Sequence, residues 1–110
     1  MDVFPKFIIE EIDGELVLIL SKCTYHKQIA TNDENVRGGG WYKYNKDENS
    51  FILSGSSHDF GSASSEDIKT CIENDRVFTN PMCIFSIAKD HDFYYDIGSE
   101  IRLIGKAHKF

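Results

Sequence analysis

The stretch Arg37–Ala63, RGGGWYKYNKDENSFILSGSSHDFGSA, decides the reading of this chain. Three consecutive glycines, Gly38, Gly39 and Gly40, lead into the aromatic run Trp41 to Tyr44, and the polar segment NKDENS separates that run from Phe51 to Ser54. Two β-prone runs joined by a polar turn predict a hairpin with a loop longer than the tight two-residue type. Glycine permits positive φ and close backbone approach, and it weakens the end of the strand it occupies. The second strand runs into Gly55-Ser56-Ser57-His58-Asp59-Phe60-Gly61, where two glycines flanking polar residues predict a sharply curved turn. Such a loop either holds an anion or is simply a tight bend.

Downstream, Ser64 suits a helix N-cap, and Asp67 three residues on resembles the acidic half of a capping box. Ile68, Cys71 and Ile72 form an i, i+3, i+4 apolar stripe, and Asn74 suits a C-terminal end, so the spacing predicts a helix over 64–74. Beyond Pro81 the segments MCIFSIA, DFYYDI and EIRLIG are short and β-prone and predict two or three further strands.

Upstream, FIIEEIDGELVLIL sets Asp13-Gly14 between two apolar runs, a strong signal for a two-residue hairpin with strands over 4–11 and 15–21. In that register Phe7, Ile9, Leu16, Leu18 and Leu20 share one face, expected to be the core. Ile8, Glu10, Ile12, Glu15, Val17 and Ile19 share the other, with Lys6 on this more polar face near Ser21. Between the hairpins, KCTYHKQIATNDENV holds neither a period of two nor a helical period; it predicts an irregular connection with one short helical turn near Tyr25 to Ala30 and a loop over Thr31 to Asn35. The sum is a single α+β domain over residues 1–110, sheet-dominated, with six or seven short strands, mostly antiparallel hairpins, and one clear helix.

Composition narrows the function classes. A length of 110 residues is the size of one domain, and 41% hydrophobic residues supply a core. The net charge of -6 disfavours nucleic acid as a partner, since that affinity comes from many Lys and Arg contacts to phosphates. Arg102, Lys106, His108 and Lys109 make the last residues locally basic, which reads as a solvated tail. No run approaches the roughly 20 apolar residues of a membrane span, and the first residues do not read as a signal peptide, so a cytoplasmic protein without a membrane partner is expected. Cys23, Cys71 and Cys83 form no CxxC pair, so reduced, interior thiols are expected and neither a metal nor another cofactor is implied.

Several constellations have ordinary explanations. Ser57, His58 and Asp59 are sequence neighbours, and neighbours in a strand point to opposite faces, so they are no Ser-His-Asp triad. Cys23 with His26, or His58 and Asp59 with His91 and Asp92, lack a recognised ligand spacing. The glycines are no Walker loop, because no Lys-Ser or Lys-Thr follows and they enter a strand. Trp41, Tyr42 and Tyr44 could stack on a base, but with an acidic chain packing is the simpler role. A carboxylate at Asp59 would repel an anion in its own loop.

Taken in order, four landmarks resemble the 14 kDa phosphohistidine phosphatase family, also called the Janus or Ocnus family. They are Phe4-Pro5-Lys6 opening an apolar strand, Tyr25-His26 followed by Ile29, Gly38-Gly39-Gly40, and Gly55-x-Ser57-x-x-Phe60-Gly61-x-Ala63 before a helix. The similarity spans Phe4 to about Ile72. It implies a metal-free phosphatase acting on phosphorylated histidine in proteins, with His26 as general base or first phosphate acceptor and Lys6 stabilising the phosphoryl charge; the partner expected is a phosphorylated protein or a small anion. Ser57, together with backbone groups near Lys27, His58 and Asp59, would hold phosphate oxygens. Phosphoryl transfer needs positioning and positive electrostatics more than covalent machinery, which suits such a set.

The competing reading is a noncatalytic module that binds a protein or a small ligand. A small acidic domain with short sheet edges can add a strand from a partner or form a homodimer, and Phe93, Tyr94 and Tyr95 are consecutive, so one of them would point outward. An enzyme needs Lys6, His26 and Ser57 to converge; a binding module needs an exposed apolar patch or an open edge.

Overall fold

The first hairpin closes where the sequence places it. In the computed structural model, which describes residues 4–23, 25–45, 47–48, 50–79, 92–97, 100–105 and 108–109, strand β1 (Phe4–Ile12) turns at Asp13 and Gly14 into β2 (Glu15–Cys23). Both turn residues have positive φ, 53° and 81°, which matches the right-handed twist of the flanking strands. Ile12 pairs with Glu15, Phe7 with Leu20 and Lys6 with Ser21. The second hairpin joins β3 (Val36–Asn45) to β4 (Ser50–Ser54), and Asn45 pairs with Ser50. Its bend is organised by the Asn45 side-chain carbonyl, which accepts the backbone N–H groups of Asp47 (3.0 Å) and Glu48 (3.3 Å).

Helix α1 (Ser65–Glu73) follows, with Ser64 as its N-cap: Ser64 Oγ accepts the Asp67 N–H at 3.1 Å. The helix ends without glycine. Asp75 takes the left-handed conformation at φ 57°, the Arg76 N–H reaches the Cys71 carbonyl at 2.8 Å, and the Asp75 N–H reaches the Ile72 carbonyl at 3.1 Å. That reversal launches a strand the sequence reading did not contain, β5 (Val77–Thr79), which runs parallel to β2 with Leu18 opposite Val77. Three residues are too few for a pattern of period two to declare itself. The expected segment MCIFSIA lies outside the described residues. DFYYDI and EIRLIG form β6 (Asp92–Ile97) and β7 (Glu100–Gly105), and β8 (His108–Lys109) is a short addition.

The strands share one sheet in the order β6-β7-β4-β3-β1-β2-β5-β8. Its body is a half-barrel curled from five strands, fewer than the six or seven expected, and β6, β7 and β8 extend its edges. Among the described pairs only β2 with β5 and β5 with β8 are parallel. Among the described residues the fold is thus a sheet-dominated α+β arrangement with one α-helix. No helix among the described residues is long and apolar enough to cross a membrane.

One face carries the main core, where Phe7, Ile9, Leu18, Leu20 and Phe51 meet Ile68, Cys71 and Ile72 of α1. The opposite face differs from the expectation of a more polar surface, because Ile8, Val17, Ile19 and Ile29 form a second buried cluster flanked by Val36, Phe60 and Phe78. The connection between the hairpins lies across it. Two short 3-10 turns, His26–Gln28 and Asp33–Asn35, give that connection its shape. It is clamped by Glu10, only 1% exposed, whose carboxylate accepts the Thr31 N–H (2.9 Å), the Thr31 hydroxyl and the Asn32 N–H (3.3 Å). A buried carboxylate is tolerated when its lone pairs are satisfied in this way. Covering the second face also leaves Lys6 only 6% exposed, at the edge of a cavity.

Candidate functional site

The glycines of β3 bring the site together. A Cβ on Gly39 would stand 2.5 Å from the Phe7 carbonyl oxygen and 3.1 Å from His26 Cδ2, and one on Gly38 would stand 2.5 Å from the Ser62 carbonyl oxygen. β1, the His26 ring and the loop before α1 therefore close in on a backbone with no side chains in the way. The loop is pinned to the strand by the Gly39 N–H, which donates to the Gly61 carbonyl at 3.0 Å. It closes on itself through Ser57 N–H to Gly61 carbonyl (3.0 Å) and Gly61 N–H to Ser57 carbonyl (2.9 Å).

His26 opens its 3-10 turn and is 3% exposed. The turn is stabilised reciprocally, with the Gln28 N–H donating to the Tyr25 carbonyl and the Tyr25 N–H donating to Gln28 Oε1, each at 3.0 Å. His26 Nε2 lies 2.8 Å from the Gly40 carbonyl oxygen. A carbonyl can only accept, so Nε2 carries the hydrogen and the lone pair of the neutral ring resides on Nδ1. The His26 pKa lies below its ordinary value of 6.5, chiefly because burial penalises the charged ring. The hydrogen bond to Gly40 opposes this, the Lys6 charge reinforces it, and the Asp59 charge opposes it. The outcome is an imidazole that is neutral and oriented at neutral pH.

Lys6 projects from β1 directly across from Trp41 of β3, its register partner. Its Nζ sits 3.8 Å from the Trp41 ring centroid and 5.5 Å from that of Phe4. Among the described residues no carboxylate pairs with it. The ammonium is held against aromatic faces, an arrangement that stabilises a cation without an ion pair.

Lys6 and His26 open into one cavity of about 280 Å³, lined also by Tyr25, Trp41, Ser56, His58 and Asp59. Of the six residues singled out from the sequence, four therefore share a space: Lys6, His26, His58 and Asp59. Ser57 and Lys27 are not among its lining residues. Ser57 is buried, and its Oγ accepts the N–H groups of Asp59 and Phe60, both at 3.2 Å, so it shapes the loop from within. Lys27 is exposed, one residue beyond His26. Tyr25, Trp41 and Ser56 are lining residues that the reading did not assign to a site. Trp41 could have been found only from the β1–β3 register, which the sequence does not disclose because a register shift falls between Ile9 and Glu10. Among the described residues no group of three or more His, Cys, Asp and Glu side chains is placed to hold a metal ion.

Chemically, the cavity offers an oriented neutral base, an ammonium with no ion-pair partner among the described residues, the Asp59 carboxylate and an aromatic rim. No family model, curated protein or solved structure matches the chain.

Proposed function

We propose that this cavity binds a phosphoryl group carried on a protein and hydrolyses it without a metal, in the manner of a phosphohistidine phosphatase. The observation that carries the reading is the meeting, in one cavity, of a buried lysine that has no carboxylate partner among the described residues and a histidine whose free lone pair is set by the Gly40 carbonyl. Lys6 draws the phosphoryl oxygens in and offsets charge as it grows on them in the transition state. His26 Nδ1 takes a proton from the attacking water, a role for which a neutral imidazole is suited. Ser57 acts indirectly by holding the turn that presents His58 and Asp59.

The test is phosphate release from a phosphohistidine-bearing protein by the wild type and by His26→Ala. Release by the wild type and its loss in the variant are expected; no release by the wild type, or equal release by both, refutes the reading. Lys6→Gln is expected to raise the KM for that substrate, because the ammonium would contact the phosphoryl group before reaction as well as in the transition state.

A second reading is favoured by a different feature. Phe4, Tyr25 and Trp41 are exposed large hydrophobic residues, with Tyr25 64% exposed, and the Phe4 and Trp41 rings meet edge to face at 5.7 Å. An aromatic patch beside an anion pocket also suits a noncatalytic module that captures a phosphorylated or acidic protein segment. Binding of a phosphorylated peptide without turnover would favour this alternative.

A further inference from the structure

The connection that carries His26 is anchored beyond that residue by a single carboxylate. Lys6, Ile8 and Glu10 alternate along β1 and so share one face of the strand. Lys6 enters the cavity, Ile8 joins Ile29 in the second buried cluster, and Glu10 receives Thr31 and Asn32. The connection therefore follows that face, and both of its 3-10 turns contact β1. Three points fix it: His26 at the Gly40 carbonyl, Ile29 by burial, and Thr31 with Asn32 at the carboxylate. Thr31 is five residues beyond His26, and the Ile29 N–H is already bonded to the His26 carbonyl at 3.0 Å. So short a span passes a displacement at one end to the other.

The anchor demands a carboxylate. Its partners are two backbone N–H groups and a hydroxyl, and among the described residues no cation pairs with it. A glutamine of the same shape carries an NH2 in place of one oxygen. Whichever way that amide turns, either the Thr31 N–H or the Asn32 N–H faces another donor. Buried donors left unmatched are costly, and the local relief is for the connection to lift from β1. We propose that Glu10 is a positioning residue for His26: by holding Thr31 and Asn32 against β1 it keeps the imidazole seated at the Gly40 carbonyl, beside the ammonium carried by the same strand.

Two consequences are readable separately. The catalytic one rests on the phosphoryl-transfer reading: a base misplaced by about 1 Å loses on the order of a hundredfold in rate, while Lys6 stays on β1 and still binds the phosphoryl group. The second does not rest on that reading. Burial holds the His26 pKa below 6.5, so a ring that loosens from its seat gains a higher pKa. Loss of the Glu10 negative charge with the ring still seated acts in the opposite sense and lowers it further. Lys6 and Asp59, the charged groups that act on the ring, are present in every variant below. The direction of the shift therefore separates displacement from loss of charge.

The experiment compares wild type, Glu10→Gln and Ile72→Val, each well below its own Tm. Ile72→Val trims the main core on the opposite face and is the control for lost stability alone. NMR titration of the His26 ring and phosphate release from a phosphohistidine-bearing protein are the two readouts. In Glu10→Gln the His26 pKa is expected to rise towards 6.5 and kcat to fall by about tenfold to a hundredfold, with KM little changed. In Ile72→Val neither moves. Thr31→Val, which leaves the carboxylate and both N–H bonds in place, is the milder variant; it is expected to shift the pKa in the same sense by less, and it carries the test should Glu10→Gln not fold. A His26 pKa that is unaltered or lower in Glu10→Gln, or in Thr31→Val where that variant carries the test, overturns the positioning role, as does an equal fall in kcat in Ile72→Val. A wild type that releases no phosphate, with the pKa still rising in Glu10→Gln, refutes the phosphatase reading and upholds Glu10 as the anchor of His26.

Discussion

Replacing Gly39 by alanine tests the structural argument at its tightest point. Gly39 needs no positive φ, so the substitution brings no backbone strain, and by restricting the unfolded chain alanine should by itself stabilise the fold by about 0.4–1 kcal/mol. The added methyl, however, would lie 2.5 Å from the Phe7 carbonyl oxygen, 3.1 Å from His26 Cδ2 and 3.3 Å from Ile8 Cγ2. The first of these atoms is backbone in the neighbouring strand and cannot turn aside, so β1 and β3 must separate by several tenths of an ångström. Overpacking of this kind costs about 1–3 kcal/mol or somewhat more, and after the entropic gain a net loss of about 1–2 kcal/mol remains. For a chain of this size that is roughly a 4–8 °C fall in Tm for each kcal/mol. Gly61→Ala is the control: a Cβ there meets nothing within 4 Å, but φ is +76°, so its cost is the left-handed backbone alone, about 1 kcal/mol. Urea unfolding of both variants measures the stabilities, and the chemical shifts of the His26 ring report whether it has moved. A Gly39→Ala protein as stable as wild type, with an undisturbed His26 resonance, would refute the packing argument and the claim that Gly39 sets the position of the site.

Three further predictions concern buried ionisable groups. Because the native His26 pKa lies below 6.5, the folded state resists binding a proton that the unfolded chain accepts; stability is therefore fully present above pH 6.5 and declines as pH falls from there towards the native pKa. His26→Asn should flatten that decline in urea unfolding, and an NMR titration placing the His26 pKa at or above 6.5 would contradict the sign. Glu10→Ala removes the acceptor for two N–H groups and a hydroxyl of the connection and should cost about 2–4 kcal/mol; a loss below about 0.5 kcal/mol in chemical denaturation would show that the connection is held by its apolar contacts instead. The Cys71 thiol is pushed up to about 12 by burial, then by the Asp67 charge, so native protein should alkylate there far more slowly than denatured protein, as followed by mass spectrometry of the peptide containing Cys71.

Much of the candidate site was legible as a set of residues without being legible as a place. Lys6, His26, His58 and Asp59 stood out by residue type and by the order of the motifs, and all four face one cavity. Ser57 looked equally like a ligand, because a hydroxyl in a Gly-Ser loop reads the same whether it faces outward to an anion or inward to its own turn. In the structure it faces inward, accepting from Asp59 and Phe60. Trp41 and Tyr25 drew notice in the sequence, but their place in this cavity was not legible there because it depends on which strand lies beside them and on the path of the connection. Similarly, the second face of the first hairpin read as polar on the strength of Glu10 and Lys6, yet Glu10 is buried against Thr31 and Asn32 in a segment with no periodicity to announce where it would lie.

The features legible in the chain alone are those governed by short-range rules. The Asp13-Gly14 turn, the alternation along β1 and β2, the Ser64 cap and the apolar stripe of α1 are settled by interactions among residues a few positions apart. The stretch Arg37–Ala63 likewise declared its hairpin and its curved loop. The reason three glycines stand together there emerges from the packing: three separate segments, β1, the His26 turn and the loop at Ser62, converge on that backbone at distances a side chain would forbid. Such convergence is a property of long-range contacts between segments far apart in the chain, and it is what turns a scattered lysine and histidine into neighbours sharing one cavity.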